Sequence, residues 1–197
     1  LREQAFDMEE LQDVLPRFRL QAEAGRNNIL NNFLRTKGAS FRGLHVAGAN
    51  DGAEPLSLRM RVDGLDAGGV VLDTVALGIA REERRLAYRL GVSNAPGHLD
   101  HVAQAALYGH VVRNTGQVNF RQRDRAGREG FRFGFDVEWT DSLVRAGMTP
   151  LRPLFGSEPW EVNAGNYVEY GWYDRRRSRH AVRRGALRSP FGSGRRR

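Results

Sequence analysis

The segment "FRFGFDVEW" (residues 131–139) most constrains how this chain folds, because large apolar residues occupy every second position in it. Polar residues or glycine fill the positions between them. Successive side chains of a β-strand point to opposite faces of a sheet, so the alternation predicts a strand with one apolar and one polar face. The apolar set is Phe131, Phe133, Phe135, Val137 and Trp139, and the opposite set is Arg132, Gly134, Asp136 and Glu138.

The same alternation occurs in "LSLRMRV" (56–62) and "RLAYRLGVS" (85–93), and the second of these segments places Leu86, Tyr88, Leu90 and Val92 on one face. Segments rich in glycine, asparagine, aspartate and proline separate the strands and predict turns. No helical crossover of the length that parallel pairing needs lies between them. We therefore predict a mostly-β chain, an elongated antiparallel sheet of about eight or nine strands.

The N-terminal region has a different pattern. Apolar residues recur near helical spacing in residues 3–15, and Pro16 marks a break. In residues 17–38, Ile29 and Phe33 fall on one side of a second predicted helix that Gly38 is placed to end. The pattern predicts a helical lead-in over residues 1–38, followed by a β-region over 39–173. Gly25 and the asparagines leave open that part of the second segment is strand or loop.

The positive charge of the chain is concentrated at its end. The formal net charge is +8, yet residues 174–197 hold ten arginines against one aspartate, which leaves 21 basic and 22 acidic residues before them. This tail has few large apolar residues to offset the entropy of ordering. We expect a disordered terminus or the product of a broken gene end; an arginine arm that grips phosphates or anionic lipid headgroups is the alternative.

The residues give no sign of catalysis. The chain has no cysteine, which excludes disulfides and thiolate zinc sites. His98 and His101 flank Asp100, but no second ligand pair follows, so we interpret this segment as a polar turn. Asp136 and Glu138 share one side of a strand as a glycosidase pair does, and we interpret them as a solvated face. The sequence therefore predicts neither an enzyme nor a metal or cofactor site.

The predicted apolar face needs a cover. A second sheet, a layer of helices or a ligand can supply it. Each large apolar side chain contributes about 1.5–3 kcal/mol when it leaves water, so an uncovered row of five would be costly. Two interpretations remain open at this point: the row is the core of a sandwich or barrel, or it lines a trough that lipid acyl chains fill.

Three blocks of sequence carry a resemblance to a known family. They are "GRNNILNNFLRTKGASFRGLHV" (25–46), "LAYRLGVSNAPGHLDHVAQAALYGHV" (86–111) and residues 127–171. The third block ends in a Trp-x-Val-Asn-x-x-Asn-Tyr motif that contains Trp160, Asn163, Asn166 and Tyr167. On these blocks the chain resembles an internal fragment of the TamB family of translocation and assembly module subunits, within the AsmA-like bridge proteins of double-membraned bacteria.

The resemblance implies a long β-groove, U-shaped in section, that crosses the periplasm and is tethered to the inner membrane by a region outside this chain. Family members are implicated in carrying phospholipid toward the outer membrane and in outer-membrane protein assembly with a barrel insertase partner. The apolar residues of 86–92 and 131–139 would then line the groove and contact phospholipid acyl chains. Protein assembly by strand pairing is the alternative function, and nucleic-acid binding through the tail is the least favoured.

The third block also yields a local prediction. Trp160, Val162, Tyr167, Val168 and Tyr170 are expected to be strand residues on either side of a turn at 163–166. Asparagine and glycine tolerate the backbone angles of a tight reversal. Asn163 and Asn166 are therefore assigned a structural role in that turn.

Overall fold

A computed structural model of the chain describes residues 14–52, 55–94, 102–163 and 165–171. In these described residues, the chain forms one open antiparallel sheet of twelve strands and one short helix. This architecture is consistent with the predicted β-groove. The predictions for residues 3–13, for the turn with His98, Asp100 and His101, and for the tail at 174–197 lie outside the described residues.

The sheet is a meander in which most strands pair with their neighbours in sequence. Its order is β1-β3-β4-β5-β6-β7-β8-β9-β10-β11, while β2 pairs with β4 and β12 pairs with β10. The elements are β1 (Phe18–Gly25), α1 (Ile29–Arg35), β2 (Ala39–Ser40), β3 (Gly43–Asn50), β4 (Ser57–Ala67), β5 (Val70–Glu82), β6 (Arg85–Asn94), β7 (Gln104–Val112), β8 (Thr115–Arg123), β9 (Glu129–Trp139), β10 (Leu143–Phe155), β11 (Glu158–Pro159) and β12 (Tyr167–Gly171).

The first strand corrects the predicted helical lead-in. Residues 18–25 pair with β3 over their whole length, from Phe18 opposite Asn50 to Gly25 opposite Gly43. Local propensity in this stretch favours a helix because alanine, glutamate and glutamine are good helix formers, and tertiary pairing overrides it. The helix predicted around Ile29 and Phe33 is confirmed as α1, and the sheet has more strands than the eight or nine predicted.

A buried asparagine fixes α1 to the sheet. Asn31 is fully buried, and its Nδ2 donates to the carbonyl oxygens of Arg26 at 2.7 Å and Phe41 at 3.0 Å. Its Oδ1 accepts a hydrogen bond from the backbone N–H of Phe41 at 2.9 Å. Asn28 caps the helix by accepting from the Asn31 N–H. A buried amide is stable here because its hydrogen-bonding groups have backbone partners.

Two-residue turns join several of the strands. Gly68 and Gly69 have φ values of 61° and 89°, the left-handed pair that a type I′ hairpin turn requires. The turns after β5 and β7 place Glu83 and Arg113 in the same left-handed region, at φ 55° and 49°. The sequence does not predict the turn at Glu83, because this segment contains none of the usual turn residues.

The Trp-x-Val-Asn-x-x-Asn-Tyr block is partly as predicted. A turn forms at 163–166, where the Asn166 N–H donates to the Asn163 carbonyl oxygen at 3.2 Å, and Tyr167 begins β12. The prediction of strand at Trp160 and Val162 is wrong, because β11 ends at Pro159. Trp160 is instead half-exposed.

The described residues form a single layer. Every extensive contact between elements joins α1 to β2 or a strand to a hydrogen-bonded neighbour. The buried hydrophobic residues of this part of the chain are Phe41, Ala49, Leu56 and Ala103, and none of them lies in a second sheet or helical layer. Backbone pairing, rather than a packed core, therefore holds the described residues together.

A strand glycine tests this backbone arrangement. A Cβ atom at Gly109 would overlap the Gln117 carbonyl oxygen and lie 2.8 Å from Tyr88 Oη, which donates to that same oxygen at 2.9 Å. We expect Gly109→Ala to lower the free energy of unfolding by about 1–3 kcal/mol. Urea denaturation followed by circular dichroism measures it.

Gly91→Ala is the matched control, on the neighbouring strand β6. A Cβ atom there would meet nothing within 4 Å. We expect stability to be unchanged or to rise by up to about 1 kcal/mol, because alanine restricts the unfolded chain more than glycine does. Equal losses at both positions would contradict the close approach at Gly109.

Candidate functional site

The strand register aligns apolar side chains on one face of the sheet, here called the apolar face. Directly paired residues of adjacent strands point to the same side. One such row starts at Val46 of β3 and ends at Phe133 of β9, and every member is apolar. It runs through Val46, Met60, Leu77, Leu90, Leu107, Phe120 and Phe133.

The residues predicted to line a groove all lie on this face. Rows of directly paired residues join Phe135 to Tyr88 through Val118 and Gly109. Phe131 and Val137 are joined to β6 in the same way, and Trp139 pairs with Val144 of β10. The predicted set that the structure brings together is Leu86, Tyr88, Leu90, Val92, Phe131, Phe133, Phe135, Val137 and Trp139.

An aromatic cluster occupies one part of the apolar face. Phe133 lies between Phe120, at 5.2 Å between ring centroids, and Phe155, at 5.3 Å. Phe135 meets Phe133 edge-on at 6.3 Å, and Trp160 meets Phe155 edge-on at 5.7 Å. Such pairs contribute about 0.5–1.5 kcal/mol each beyond the area that they bury. Sequence reasoning missed Phe120 and Phe155, because only the register places them beside β9.

The register shift in β10 brings Phe155 into this cluster. Pairing with β9 is regular up to Thr149 and resumes at Leu154, which places Phe155 opposite Phe131. Pro153 lies inside the irregular stretch, and proline has no N–H to donate to a ladder. The sequence segment that contains Pro150 and Pro153 is therefore a local break within one long strand.

Part of the apolar face is open to solvent. Leu20, Leu90, Leu107 and Phe131 keep 45%, 39%, 37% and 40% of their surface exposed. No second layer of the described residues covers them. Because Leu90 and Leu107 are directly paired, exposed apolar side chains adjoin on this face, which is typical of an interaction surface.

The opposite face, here called the polar face, carries the charged side chains. Asp136 and Glu138 are exposed on it, as the solvated-face interpretation predicts, and Asp136 accepts a hydrogen bond from Gln117 Nε2 at 3.0 Å. The hydrogen bond from Arg61 to Asp63, at 2.9 Å, lowers the pKa of that carboxyl. Exposed ion pairs of this kind contribute little to stability.

The described residues show no metal-binding cluster. His45 is the histidine with acidic neighbours on both sides: its Nδ1 lies 3.8 Å from Glu23 Oε1, and its Nε2 lies 3.9 Å from Asp63 Oδ2. Because the two carboxylates contact opposite ends of the imidazole ring, they do not converge on one ion. In the same part of the chain, no helix has the length and apolar character to cross a bilayer.

Comparison with known proteins identified no relative. Neither the family models, nor the curated proteins, nor the solved structures gave a match to this chain.

The openness of the apolar face predicts that it binds an environment-sensitive apolar dye. Changing the paired residues Leu90 and Leu107 both to glutamate should at least halve the fluorescence enhancement, because two charges then interrupt the longest apolar row. Titration of the chain with the uncharged dye Nile red measures it.

Ala87 and His110 are a control pair on the same two strands, on the polar face. Changing both to glutamate introduces the same two carboxylates and the same cross-strand repulsion. Dye binding should stay at the level of the parent chain. An equal fall in the two double variants would show that the dye does not distinguish the faces.

Proposed function

We propose that this chain is a segment of a periplasm-spanning bridge whose apolar face carries phospholipid between the inner and outer membranes and so supports outer-membrane biogenesis. The observation that carries the proposal is the apolar row that crosses seven strands, over which the described residues place no second layer. Acyl chains supply the cover that the described residues do not.

The distribution of polar groups on the apolar face supports acyl chains as the occupant. Asn50, Arg81 and Gln122 share this face, and each lies at or next to the end of its strand. The middle of the face is apolar. A specific protein partner is held by hydrogen bonds at defined positions across an interface, whereas an acyl chain needs none. The arrangement leaves polar headgroups free to lie at the margins.

The size of the apolar face also fits a phospholipid. Residues 131–139 of β9 are apolar at every second position, and eight steps of about 3.3 Å span roughly 26 Å. One leaflet of a bilayer holds acyl chains within about 15 Å, half of its hydrocarbon core. Contact at about 25 cal/mol per Å² of apolar surface is non-directional, which lets a chain slide from one strand to the next.

The resemblance of residues 25–46, 86–111 and 127–171 to the TamB family supplies the cellular setting of the proposal. A membrane anchor and a region that meets an outer-membrane barrel partner would both lie outside this chain. Lipid movement along such a surface requires no nucleophile, acid or metal from these residues. The transport direction and its energy source would come from the rest of the bridge.

A second candidate function rests on the edge of the sheet. No strand of the described residues pairs with the outer side of β1, so its backbone N–H and C=O groups are open to another extended chain. Strand addition at this edge would guide an outer-membrane protein during assembly. Leu20, 45% exposed on this strand, gives the incoming chain an apolar contact.

Site-specific photocrosslinking tests the first proposal. A benzoylphenylalanine at Leu90 or Leu107, in the intact bridge in its membrane, should capture phospholipid, detected by mass spectrometry of the purified adduct. Ala87 and His110 give the control positions, on the same strands and the opposite face. We expect at least about tenfold more phospholipid at the apolar positions, because only they contact acyl chains.

Equal capture at the four positions, or capture at none, contradicts the proposal. Probes at Arg19 and Gln21 of β1 test the second candidate. Capture of unfolded outer-membrane protein there, with no phospholipid at Leu90 and Leu107, would replace lipid transport by the assembly role.

A further inference from the structure

Two adjoining depressions lie on the polar face, with volumes of about 420 Å³ and 330 Å³. They share Ala76, Arg89 and Gly91, and the small residues Ala76 and Gly91 form a common floor. Arginines form much of the walls, and Glu23 and His45 also border the larger depression. Arg59 and Arg61 border the larger depression and Arg121 and Arg123 border the smaller one, while Arg89 stands between them.

The register places two of these arginines on either side of a glycine. Gly78 of β5 pairs with Arg59 of β4 on one side and with Arg89 of β6 on the other. The two arginines are therefore two strand spacings apart, about 10 Å between backbones. Nothing lies within 4 Å of the position that a Cβ atom would occupy at Gly78. The space between the two side chains is open down to the backbone.

The arginines of this surface outnumber the acidic groups that neutralise them. Arg61 is paired with Asp63 at 2.8 Å. Arg59 and Arg89, by contrast, have no ion pair or hydrogen bond to another described residue. An anion between them would displace no partner among the described residues.

The neighbouring strands add to this excess. The single carboxylate of Glu129 forms ion pairs with three guanidinium groups, those of Arg121, Arg123 and Arg132, at 3.0, 3.2 and 3.3 Å. Arg121 and Arg132 also pair directly across β8 and β9, where like charges destabilise a sheet. The arginines of β4, β6 and β8 therefore give the two depressions, together called the arginine trough, a positive potential that favours an anionic ligand.

We propose that this trough binds a phosphate group, held between Arg59 and Arg89 over Gly78. A phosphate carries enough charge and acceptor oxygens to satisfy two guanidinium forks at once, and the planar fork matches its geometry. The group belongs to a lipid headgroup or to a soluble phosphate ester. The site lies on the opposite side of the sheet from the apolar face, so it is independent of the proposed lipid path.

Binding of glycerol phosphate in solution and of vesicles of phosphatidylcholine with phosphatidic acid tests the site. Equilibrium dialysis measures the first probe and flotation measures the second. We expect the double variant Arg59→Gln, Arg89→Gln to weaken binding at least about tenfold, because each charge-assisted hydrogen bond is worth more than a neutral one. Binding by the parent chain that this double variant loses supports the site, and the probe that is lost identifies the source of the phosphate. Vesicle binding that the double variant keeps, or binding to neither probe, overturns the proposal.

Two further variants separate the site from net charge. Arg26→Gln with Arg84→Gln removes the same two charges at exposed positions away from the trough, and should change affinity less than about twofold at moderate salt. Gly78→Leu keeps every charge and fills the space between the arginines, and should weaken binding as the arginine variant does, with circular dichroism confirming the fold. Equal losses in both double variants, full binding by Gly78→Leu, or equal affinity for succinate overturns the proposal.

Discussion

Antiparallel backbone hydrogen bonding between strands that are neighbours in sequence is the interaction on which the described structure depends. Within the described parts of residues 14–171, strands meet their hydrogen-bonded neighbours and no second layer, and few apolar side chains are buried. Both faces of the sheet are therefore surfaces. The alternation of residue types along each strand, which in a sandwich would decide the core, here decides what each surface contacts.

The face assignments of β6 and β9 were predictable, because a period of two is local information that any strand must obey. The state of β1 was not. Alanine and glutamate at 22–24 have a high helix propensity, and the pairing with β3 that overrides it involves residues 20 to 24 positions away. For Trp160 the error has the opposite sign. The aromatic residues around it favour a strand, but Trp160 lies outside β11 and still contacts Phe155.

Sites made by register were beyond the reach of sequence analysis. The row that joins Leu90, Leu107 and Phe120 to Phe133 takes one residue from each of four strands. The arginine trough combines Arg59, Gly78 and Arg89 in the same manner. Each residue looks ordinary in its own segment, where Arg59 and Arg89 alternate with apolar residues as charged residues on any solvated face do. Only the pairing of the strands places around an open space two guanidinium groups that have no partner among the described residues.

The two faces of the sheet offer different kinds of contact. Apolar contact on one face is non-directional, whereas charge on the other face is localised. The central claim is that acyl chains cover the apolar face. The fluorescence of Trp139 tests this claim directly, because Trp139 lies on the apolar face opposite Val144. Changing Trp160 and Trp172 to phenylalanine leaves Trp139 as the single tryptophan of the chain. Phospholipid brominated in its acyl chains should quench Trp139 emission relative to the unbrominated lipid, whereas identical emission with both lipids would contradict the account.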